Sequence, residues 1–312
     1  MKKTQRIGKP QHSFGGKPFL KWVGGKAQLA EKIFETFPQD IFRNKNLVYV
    51  EPFVGGGAIL FGVLRTGANV KKAVINDINP ALVTAYRCVR DETERLIFAL
   101  SELEREYFSL PQDGGARRDF FLSRRVEFNA LTAENSCVDK IRLSALLVFL
   151  NRTCFNGLFR VNSKGEFNVP FGKYKRPRIC DTDTIRADSR LLQNTEILCG
   201  DFAETLKFAD GNALFYLDPP YKPLSKTSSF NAYARGGFDD AEQLRLRDFC
   251  GKLHERGAHW VLSNSDVSDA AGTSFFENLY AGFTIRRVLA SRMVNAVASK
   301  RGKLTEVLIS NF

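Results

Sequence analysis

The chain has 312 residues, of which 44% are hydrophobic and 26% charged, as in an ordinary globular protein with one large core or one core and a smaller subdomain. No apolar run approaches about 18 residues and no apolar segment follows the basic start, so we predict neither a membrane span nor a secretory signal. The formal net charge of +12 indicates a polyanionic partner. The cysteines are scattered without a CxxC pair, so we expect reduced thiols in a cytoplasmic protein, without a disulfide framework or a metal site.

The first predicted elements are strands that alternate with helices. LVYVEPFVGGGAILFGVLR (47–65) indicates a buried strand, a Gly-rich turn and a helix. A second strand over 73–76 ends at Asp77, and a helix begins near Pro80. This order is typical of a parallel α/β sheet.

The middle of the chain changes character twice. Residues 87–150 carry apolar side chains at spacings of three and four, which predicts helices, interrupted by a loop over 111–119. Over 151–178 this periodicity is lost, and we predict a loop and a short hairpin that turns at 163–165. This segment holds seven Lys and Arg against one acid, and residues 1–26 hold seven against none. Both are candidates for phosphate contacts, with a solvated basic face as the alternative.

The α/β pattern then resumes to the end of the chain. Strands are predicted over 195–202, 212–221 and 259–266, with a helix over about 239–256. The last two apolar segments predict an antiparallel pair around a turn at 299–303. We therefore predict an α/β, Rossmann-like sheet that a mostly helical, basic insert interrupts.

The Gly-rich turn is a candidate cofactor site. Its glycines let a ligand approach the backbone, and the helix that follows supplies free N–H groups. Asp77 can accept hydrogen bonds from both hydroxyls of a ribose, with a helix cap or Asx turn before Pro80 as the alternative. NAD fits poorly, because GxGxxG is absent and Glu51 would face a pyrophosphate. A cationic, ribose-bearing cofactor without phosphates fits better, and S-adenosylmethionine is such a cofactor.

The stretch LFYLDPPY (214–221) indicates a reactive corner at the end of a buried strand. Pro219 and Pro220 cannot continue a central strand and hold one conformation. The Asp218 carboxylate and the Pro219 carbonyl then offer two acceptors to one amino group, such as the exocyclic amine of adenine. Holding both protons frees the lone pair of the nitrogen to attack a sulfonium methyl. Tyr221 can stack on the base, which must leave a duplex to enter such a pocket; a rigid turn with an Asp cap is the alternative.

These features together resemble one family, the N6-adenine DNA methyltransferases of the Dam type, which includes DpnM-like enzymes that act on GATC. The resemblance covers almost the whole chain. DPPY is shared with other amino-methyltransferases, whereas KWxGGK and NGLxRxN…FNVPFG are much more specific. The motifs, in the order that the family uses, are PFLKWVGGK (18–26), EPFVGGG (51–57), NDINP (76–80), NGLFRVNSKGEFNVPFGKY (156–174), GDF (200–202) and DPPY (218–221).

The resemblance implies a site-specific, adenine-specific DNA methyltransferase. It would transfer a methyl group from S-adenosylmethionine to N6 of adenine in double-stranded DNA, within GATC, by base flipping. It would act in a restriction-modification system or as a solitary methylase. A different or longer DNA site, or RNA, is the alternative.

The resemblance also implies a domain organisation and a setting. Residues 1–86 and 179–312 would form the cofactor-binding methyltransferase domain, and 87–178 would form an inserted target-recognition domain with the basic 151–178 hairpin. We expect a monomer of prokaryotic or phage origin in the cytoplasm, associated with the nucleoid through its DNA, without a membrane. A cognate restriction endonuclease would share the site without a stable complex. Residues 1–14 precede the family pattern, and an arm on DNA and a disordered tail are both open.

Single residues take roles from the same resemblance. The cofactor would be bound by Trp22, Lys26, Phe53, Gly55, Asp77, Asp201, Phe202 and Asp218. Catalysis would fall to Asp218, Pro219, Pro220 and Tyr221, without a metal. DNA would be contacted by Lys21, Arg152, Phe155, Asn156, Leu158, Arg160, Asn162 and Pro170.

Three of these assignments carry a reservation. Arg160 would read a guanine in the major groove, with a phosphate contact as the alternative. Family members often have Tyr where Phe155 stands, so only stacking would remain there. For Trp22, the alternative to cofactor binding is a structural role as an aromatic residue of the core.

Other classes of protein fit the sequence less well. An enzyme that methylates amide nitrogens would favour Asn over Asp at 218 and would not need the basic segment. A nucleic-acid-binding protein without activity would not be expected to keep both DPPY and the Gly-rich turn intact. An NAD-linked enzyme is disfavoured by the spacing of the glycines.

Overall fold

Seven strands form one mixed sheet in the computed structural model of the chain. The model describes residues 16–22, 26, 29–66, 69–112, 115–133, 139–222, 238–268, 274–291 and 303–312. The strands are β1 Leu47–Glu51, β2 Val70–Asp77, β3 Thr195–Cys199, β4 Ala213–Leu217, β5 His259–Ser265, β6 Thr284–Ser291 and β7 Lys303–Ser310. Their order is β3-β2-β1-β4-β5-β7-β6. The pairs from β2 to β5 are parallel, and β7 runs antiparallel to both of its neighbours. The predicted α/β fold class is confirmed.

The helices that the sequence predicts are present, together with three that it does not predict, and two predicted segments have different bounds. They are α1 Ala30–Thr36, α2 Ala58–Arg65, α3 Pro80–Asp91, α4 Thr93–Ser109, α5 Ala116–Ala133, α6 Lys140–Thr153, α7 Thr182–Leu192, α8 Asp240–Glu255 and α9 Phe275–Leu279. The predicted loop over 111–119 is shorter, because α5 already begins at Ala116, with Asp119 in the first turn where an acid favours a helix. The strand predicted over 195–202 ends at Cys199, since Asp201 caps a 3-10 helix over Phe202–Phe208.

The chain folds into two compact units. The first comprises Met1–Gly25, Gly55–Thr66 and Asp77–Cys199, and the second comprises Lys26–Val54, Gly67–Asn76 and Gly200–Phe312. The predicted division into a catalytic domain and a recognition insert over 87–178 assigns functions to segments, and it stays a prediction.

Helix α6 forms the centre of the first unit. Its residues from Leu143 to Asn151 are all buried, because α3, α4 and α5 pack around it. Its polar face is therefore small, and the polar side chains that it buries need partners inside the unit. Asn151, in its last turn, is one of these.

Strand β4 forms the centre of the sheet in the second unit. All of its residues are buried, and β1 and β5 pair with it on its two sides. It ends at Leu217, directly before Asp218, so the DPPY motif begins at the carboxyl end of a central strand. None of the described helices is long and apolar enough to cross a membrane. The predicted arm over 1–14 and the turn between β6 and β7 lie outside the described residues, except for Lys303, which begins β7.

Candidate active site and nucleic-acid interface

In the first unit, the Gly-rich turn takes a shape that only glycine adopts easily. Gly55 and Gly57 have φ angles of 48° and 71°. The Gly55 N–H donates to Asp77 Oδ2 at 3.1 Å, and the Tyr86 hydroxyl donates to the Gly55 carbonyl at 3.0 Å. Gly57 is the N-cap of α2 and offers no side-chain cap, so N–H groups of the first turn remain for a ligand.

Asp77 has both a structural role and capacity for a ligand. Its Oδ1 accepts the N–H of Asn79 at 2.9 Å, which is the Asx turn that the sequence left open. The N-cap of α3 is Asn79 and not Asp77. Burial raises the pKa of Asp77, and the backbone N–H groups of Asn79, Gly55 and Ile78 partly offset this rise. Because a carboxylate has about four acceptor positions, hydroxyl groups of a ligand can still bind.

Trp22 packs on this turn and on the loop that follows α6. A Cβ atom added to Gly55 would lie 2.9 Å from Trp22 Cδ1, and one added to Gly56 would lie 2.8 Å from Trp22 Cβ. The Trp22 ring also stacks on Phe159, with the ring centroids 5.3 Å apart and the planes at 17°. Trp22 is only half-buried, so it is not a core residue.

In the second unit, Asp218 is held through one of its oxygens. Oδ1 accepts from Lys26 Nζ at 2.9 Å and from the Ser263 hydroxyl at 3.0 Å. The Lys26 side chain is 5% exposed and that of Asp218 is 22% exposed. Burial raises the pKa of Asp218, while Lys26 and Ser263 lower it. Within the part of the chain that the structure describes, Oδ2 has no hydrogen-bond partner, so it can accept from a substrate.

Tyr221 and the backbone of the next residue are also held by specific contacts. The Tyr221 hydroxyl donates to Glu306 Oε2 at 2.7 Å, and Lys26 Nζ lies 4.3 Å from the centre of its ring. The Lys222 N–H donates to Asn264 Oδ1 at 3.1 Å, and the Ser265 hydroxyl donates to the Lys222 carbonyl at 2.7 Å. The two prolines are thus followed by an anchored segment, and Pro219 is buried while Pro220 is exposed.

The remaining predicted cofactor residues form an aromatic pair and an ion pair in the same unit. The rings of Phe53 and Phe202 have their centroids 5.2 Å apart. Both oxygens of Asp201 accept from the Arg245 guanidinium, at 2.8 and 2.7 Å, which lowers the pKa of Asp201. The same guanidinium lies 4.2 Å from the centre of the Phe202 ring. Arg245 therefore orders both Asp201 and Phe202.

The recognition loop, defined here as residues 154–178, is shaped by amide side chains. Asn129 of α5 binds both backbone groups of Phe167, accepting at 2.8 Å and donating at 3.2 Å. Val161 and Phe167 form an antiparallel bridge, so the predicted hairpin is present as isolated bridges and not as strands. Arg160 Nε donates to Asn168 Oδ1 at 2.8 Å, which orients the exposed guanidinium.

The structure places most of the predicted DNA-contacting residues at the surface of the first unit, and one of them inward. Arg152 is half-buried, its Nη2 donates to the Phe19 carbonyl at 2.7 Å, and its buried Nε lacks a partner among the described residues. Burial lowers the pKa of Arg152. Leu158 and Asn162 are also half-buried. The exposed members are Lys21, Phe155, Asn156, Arg160 and Pro170.

The comparisons with known proteins show the family of the chain. The profile of the D12 class N6 adenine-specific DNA methyltransferases matches residues 22–294. The chain belongs to this family. It is similar to the type II methyltransferase M.MjaIII of Methanocaldococcus jannaschii, with 46% identity over 95% of this chain and 99% of that one. It is also similar to the type II methyltransferase M1.LlaDCHI of Lactococcus lactis subsp. cremoris, with 38% identity over 95% of each chain.

A relative with a different kind of name is the DNA adenine methylase of Haemophilus influenzae, 34% identical over 94% of this chain and 92% of that one. The protein is thus an adenine-specific DNA methyltransferase that acts on DNA and uses S-adenosylmethionine. The predicted family, enzyme class and cofactor are confirmed.

The donor set of this methyltransferase fits its cofactor. Glu51, 2% exposed, is the last residue of β1, and Asp77 binds to the Gly-rich turn that follows in the chain. Carboxylates suit ribose hydroxyls and a cationic sulfur, whereas they disfavour a pyrophosphate. The rings of Phe53 and Phe202 suit an adenine ring. No group of three or more His, Cys, Asp or Glu residues that could hold a metal ion occurs in the described ranges.

Several residues of the methyltransferase site were missed by reasoning from the sequence. Ser263, Asn264 and Ser265 are polar residues in a strand, and all three are buried. Glu306 is an acid directly before the apolar run VLI of a predicted strand. Polar residues inside a buried strand are a usable signal, because each must have a partner. Asn151 gave no such signal, since it lies in a helix beside a charged residue.

Proposed function

We propose that this methyltransferase modifies N6 of adenine within GATC in duplex DNA, after turning the base out of the helix. The observation that carries the proposal is the recognition loop. It combines the NGLFRVN…FNVPFG motif with an exposed Arg160 whose Nε is engaged by Asn168. An oriented guanidinium with two remaining donor groups suits the two acceptors of guanine in the major groove.

Asp218 and Pro219 would receive the target amine. The Asp218 Oδ2 atom and the Pro219 carbonyl accept hydrogen bonds from its two N–H groups, which pulls the nitrogen toward a tetrahedral geometry and frees its lone pair. Burial raises the pKa of Asp218, and the bond from Lys26 to Oδ1 opposes this rise and so favours the carboxylate form. The bound cofactor supplies a methyl group on a positively charged sulfur. Pro220 holds the turn, and the Tyr221 ring stacks on the base.

The cofactor-binding roles divide by residue type. Asp77 would bind the ribose hydroxyls, and Phe53, Asp201 and Phe202 would border the adenine ring and the methionine part of the cofactor. Gly55 would allow close approach to the backbone, and Trp22 would cover that turn. Lys26 would close the site from the side of Asp218.

The recognition insert over 87–178 would carry the contacts to DNA. Arg160 reads guanine, Leu158 and Pro170 contact a thymine methyl, and Asn162 and Lys21 bind at the backbone or base edges. Phe155 and Asn156 would lie near the vacated position of the flipped base, where the exposed ring can stack. Arg152 would support this surface from within rather than reach a phosphate, because its Nη2 atom is engaged by Phe19.

The cellular setting follows from the same proposal. A monomer that methylates one strand at a time would act beside a restriction endonuclease that shares its site, without a stable complex, or as a solitary methylase. Relatives carry names of both kinds, type II methyltransferase and DNA adenine methylase. Deleting neighbouring nuclease genes and the methylase gene in turn would separate the two settings, because only a paired methylase becomes dispensable when its nuclease is removed.

A plasmid challenge tests the proposal. Plasmid DNA without adenine methylation is incubated with the protein and S-adenosylmethionine, then cut with one nuclease that methylation at GATC blocks and another that requires it. We expect protection from the first and cleavage by the second, with the Asp218→Ala protein as the inactive control. Methyl transfer without GATC protection would discard the site and favour a different or longer one. Transfer to RNA and not to DNA would overturn the proposed substrate.

A further inference from the structure

Asn151 makes an unusual set of contacts near the end of α6. Its side chain is buried, with the residue 1% exposed. Oδ1 accepts the Lys21 N–H at 2.8 Å, while Nδ2 donates to the Lys21 carbonyl at 2.7 Å and to the Gly157 carbonyl at 2.9 Å. Both donors of the amide are used, and the partners fix which atom is oxygen and which is nitrogen. One side chain thus binds the backbone of two separate segments.

Those two segments lead to the two functional parts of the first unit. Lys21 precedes Trp22, which packs on the Gly55–Gly56 turn that we assign to the cofactor. Gly157 lies in the recognition loop, and the nearby Phe159 stacks on Trp22. The contact is tight, since a Cβ atom added to Gly157 would lie 2.6 Å from Lys21 Cβ. A displacement of the loop would therefore move Lys21 and Trp22, and the Gly55–Gly56 turn on which Trp22 packs would shift with them.

We propose that Asn151 is a positioning residue that couples the recognition loop to the cofactor turn. In this arrangement, correct docking of the target sequence strengthens cofactor binding, and bound cofactor strengthens discrimination between sequences. Coupling of this kind is a free energy shared by two sites and is reciprocal. The inference rests on the proposed function, in which the loop recognises the DNA sequence and the turn binds the cofactor.

A purely structural amide would behave differently. It would stabilise the first unit, and its loss would lower thermal stability without changing how one ligand affects the other. Thr153 provides the matched control, because it lies two residues away in α6, is fully buried, and donates its hydroxyl to the Phe149 carbonyl at 2.7 Å. Its side chain has no bond to Lys21 or to the loop among the described contacts.

The first experiment compares Asn151→Asp with Thr153→Val. The carboxylate keeps the size of the amide and the acceptor for the Lys21 N–H, but it repels the carbonyl oxygens of Lys21 and Gly157. The affinity for S-adenosylmethionine is measured with and without a cognate duplex, and methylation rates are measured on cognate and single-base-changed duplexes. We expect Asn151→Asp to reduce both the duplex effect and the discrimination about fivefold or more. Thr153→Val should change neither more than about twofold.

A second variant approaches the same contact from the loop. Gly157 has a φ of 64°, and Gly157→Ala would both strain this conformation and push on Lys21. It should reproduce the loss of coupling while Asn151 is intact, and it decides the question where Asn151→Asp does not fold. The proposal is overturned by a native enzyme whose cofactor affinity ignores the duplex, by normal coupling in the folded variants, or by an equal loss in Thr153→Val.

The cognate sequence is defined before the variants are compared. Methylated adenines are mapped along a plasmid treated with the native enzyme, and the duplexes are built on the sequence found. A native enzyme that avoids GATC would refute the proposed site but would leave the Asn151 experiment fully defined. Failure of the proposed function and failure of the coupling are thus read from different samples.

Discussion

The DPPY corner and the recognition loop are both short irregular segments, yet they are held in different ways. At the corner, the buried Ser263 of β5, the half-buried Glu306 of β7 and the ammonium of Lys26 bind functional groups directly. In the loop, Asn129 and Asn151 bind only backbone groups, and Phe155, Arg160 and Pro170 remain exposed. A reacting group gains from a fixed position in a water-poor site, whereas a reading group must reach its target. The comparison teaches that the reacting groups are fixed through bonds to their side chains, whereas the loop is fixed mainly through its backbone, with the bond between Arg160 and Asn168 as an exception.

Breaking the corner should have the largest effect. Asp218→Asn removes an acceptor for the target amine and replaces it with donors in half of its orientations, so we expect methyl transfer to fall about 1000-fold. DNA binding should change little, because the recognition loop is untouched. The measurement is the single-turnover rate beside the affinity for a cognate duplex, with the exposed Asp248→Asn as control. A rate within tenfold of the native one would remove Asp218 from the catalytic centre.

Removing the Arg160 guanidinium from the recognition loop should have a smaller and more selective effect. Arg160→Ala should lower discrimination at one base pair about 10- to 100-fold, because a bidentate contact to guanine contributes about 1–3 kcal/mol. Asn168→Ala should act in the same direction and more weakly, since the guanidinium stays but loses its orienting bond. Methylation rates on duplexes changed at each position provide the measurement, and exposed Arg105→Ala is the control. Uniform weakening at every sequence would instead make Arg160 a phosphate contact.

The bond between Tyr221 and Glu306 sharpens the account of the corner. Tyr221→Phe keeps the ring for stacking and loses the 2.7 Å bond, so we expect kcat/KM to fall about three- to tenfold. Glu306→Gln should cost a similar factor. The double variant should be no worse than the poorer single one, because both changes break one contact. Additive losses in steady-state assays would show that the two side chains act separately.

A buried aspartate outside both regions should have the smallest effect. Asp188 in α7 accepts the Lys17 N–H at 3.0 Å through Oδ1, while its buried Oδ2 has no partner among the described residues. Burial raises the pKa of Asp188 from 3.8 to about 8, and nearby Asp181 adds to this rise while Lys17 and Arg65 oppose it. The folded protein therefore keeps a proton that the unfolded chain has lost, so stability falls as pH rises from about 4 to about 8.

Asp188→Asn tests whether the raised pKa of Asp188 causes this loss of stability with rising pH. The variant cannot ionise, so its melting temperature should fall less than that of the native protein between pH 5.5 and pH 8.5. At the higher pH we expect it to melt a few degrees above the native protein, a gain of about 1 kcal/mol. Thermal unfolding at both pH values is the measurement, with Asp248→Asn as control. Parallel pH profiles for native and variant proteins would show that Asp188 does not cause the loss of stability at high pH.

Local patterns in the sequence determined the order of strands and helices, the end of β4 before DPPY and the membership of the family. Hydrophobic periodicity, prolines and glycines affect the conformation of the residues next to them, so they can be interpreted without the tertiary structure. The start of α5 was placed too late, since a loop-like run of Gly and Arg conceals where the helix begins.

Only the tertiary structure decided which side chains hold the functional groups. Ser263 meets Asp218 across 45 positions of the chain, Glu306 meets Tyr221 across 85, and Asn151 meets Lys21 across 130. Packing sets such contacts, and no spacing in the sequence encodes them. For the same reason the family resemblance could assign Arg152 to DNA while the fold turns it toward Phe19. A motif identifies a residue type at a position, and the surrounding core decides the direction in which that residue points.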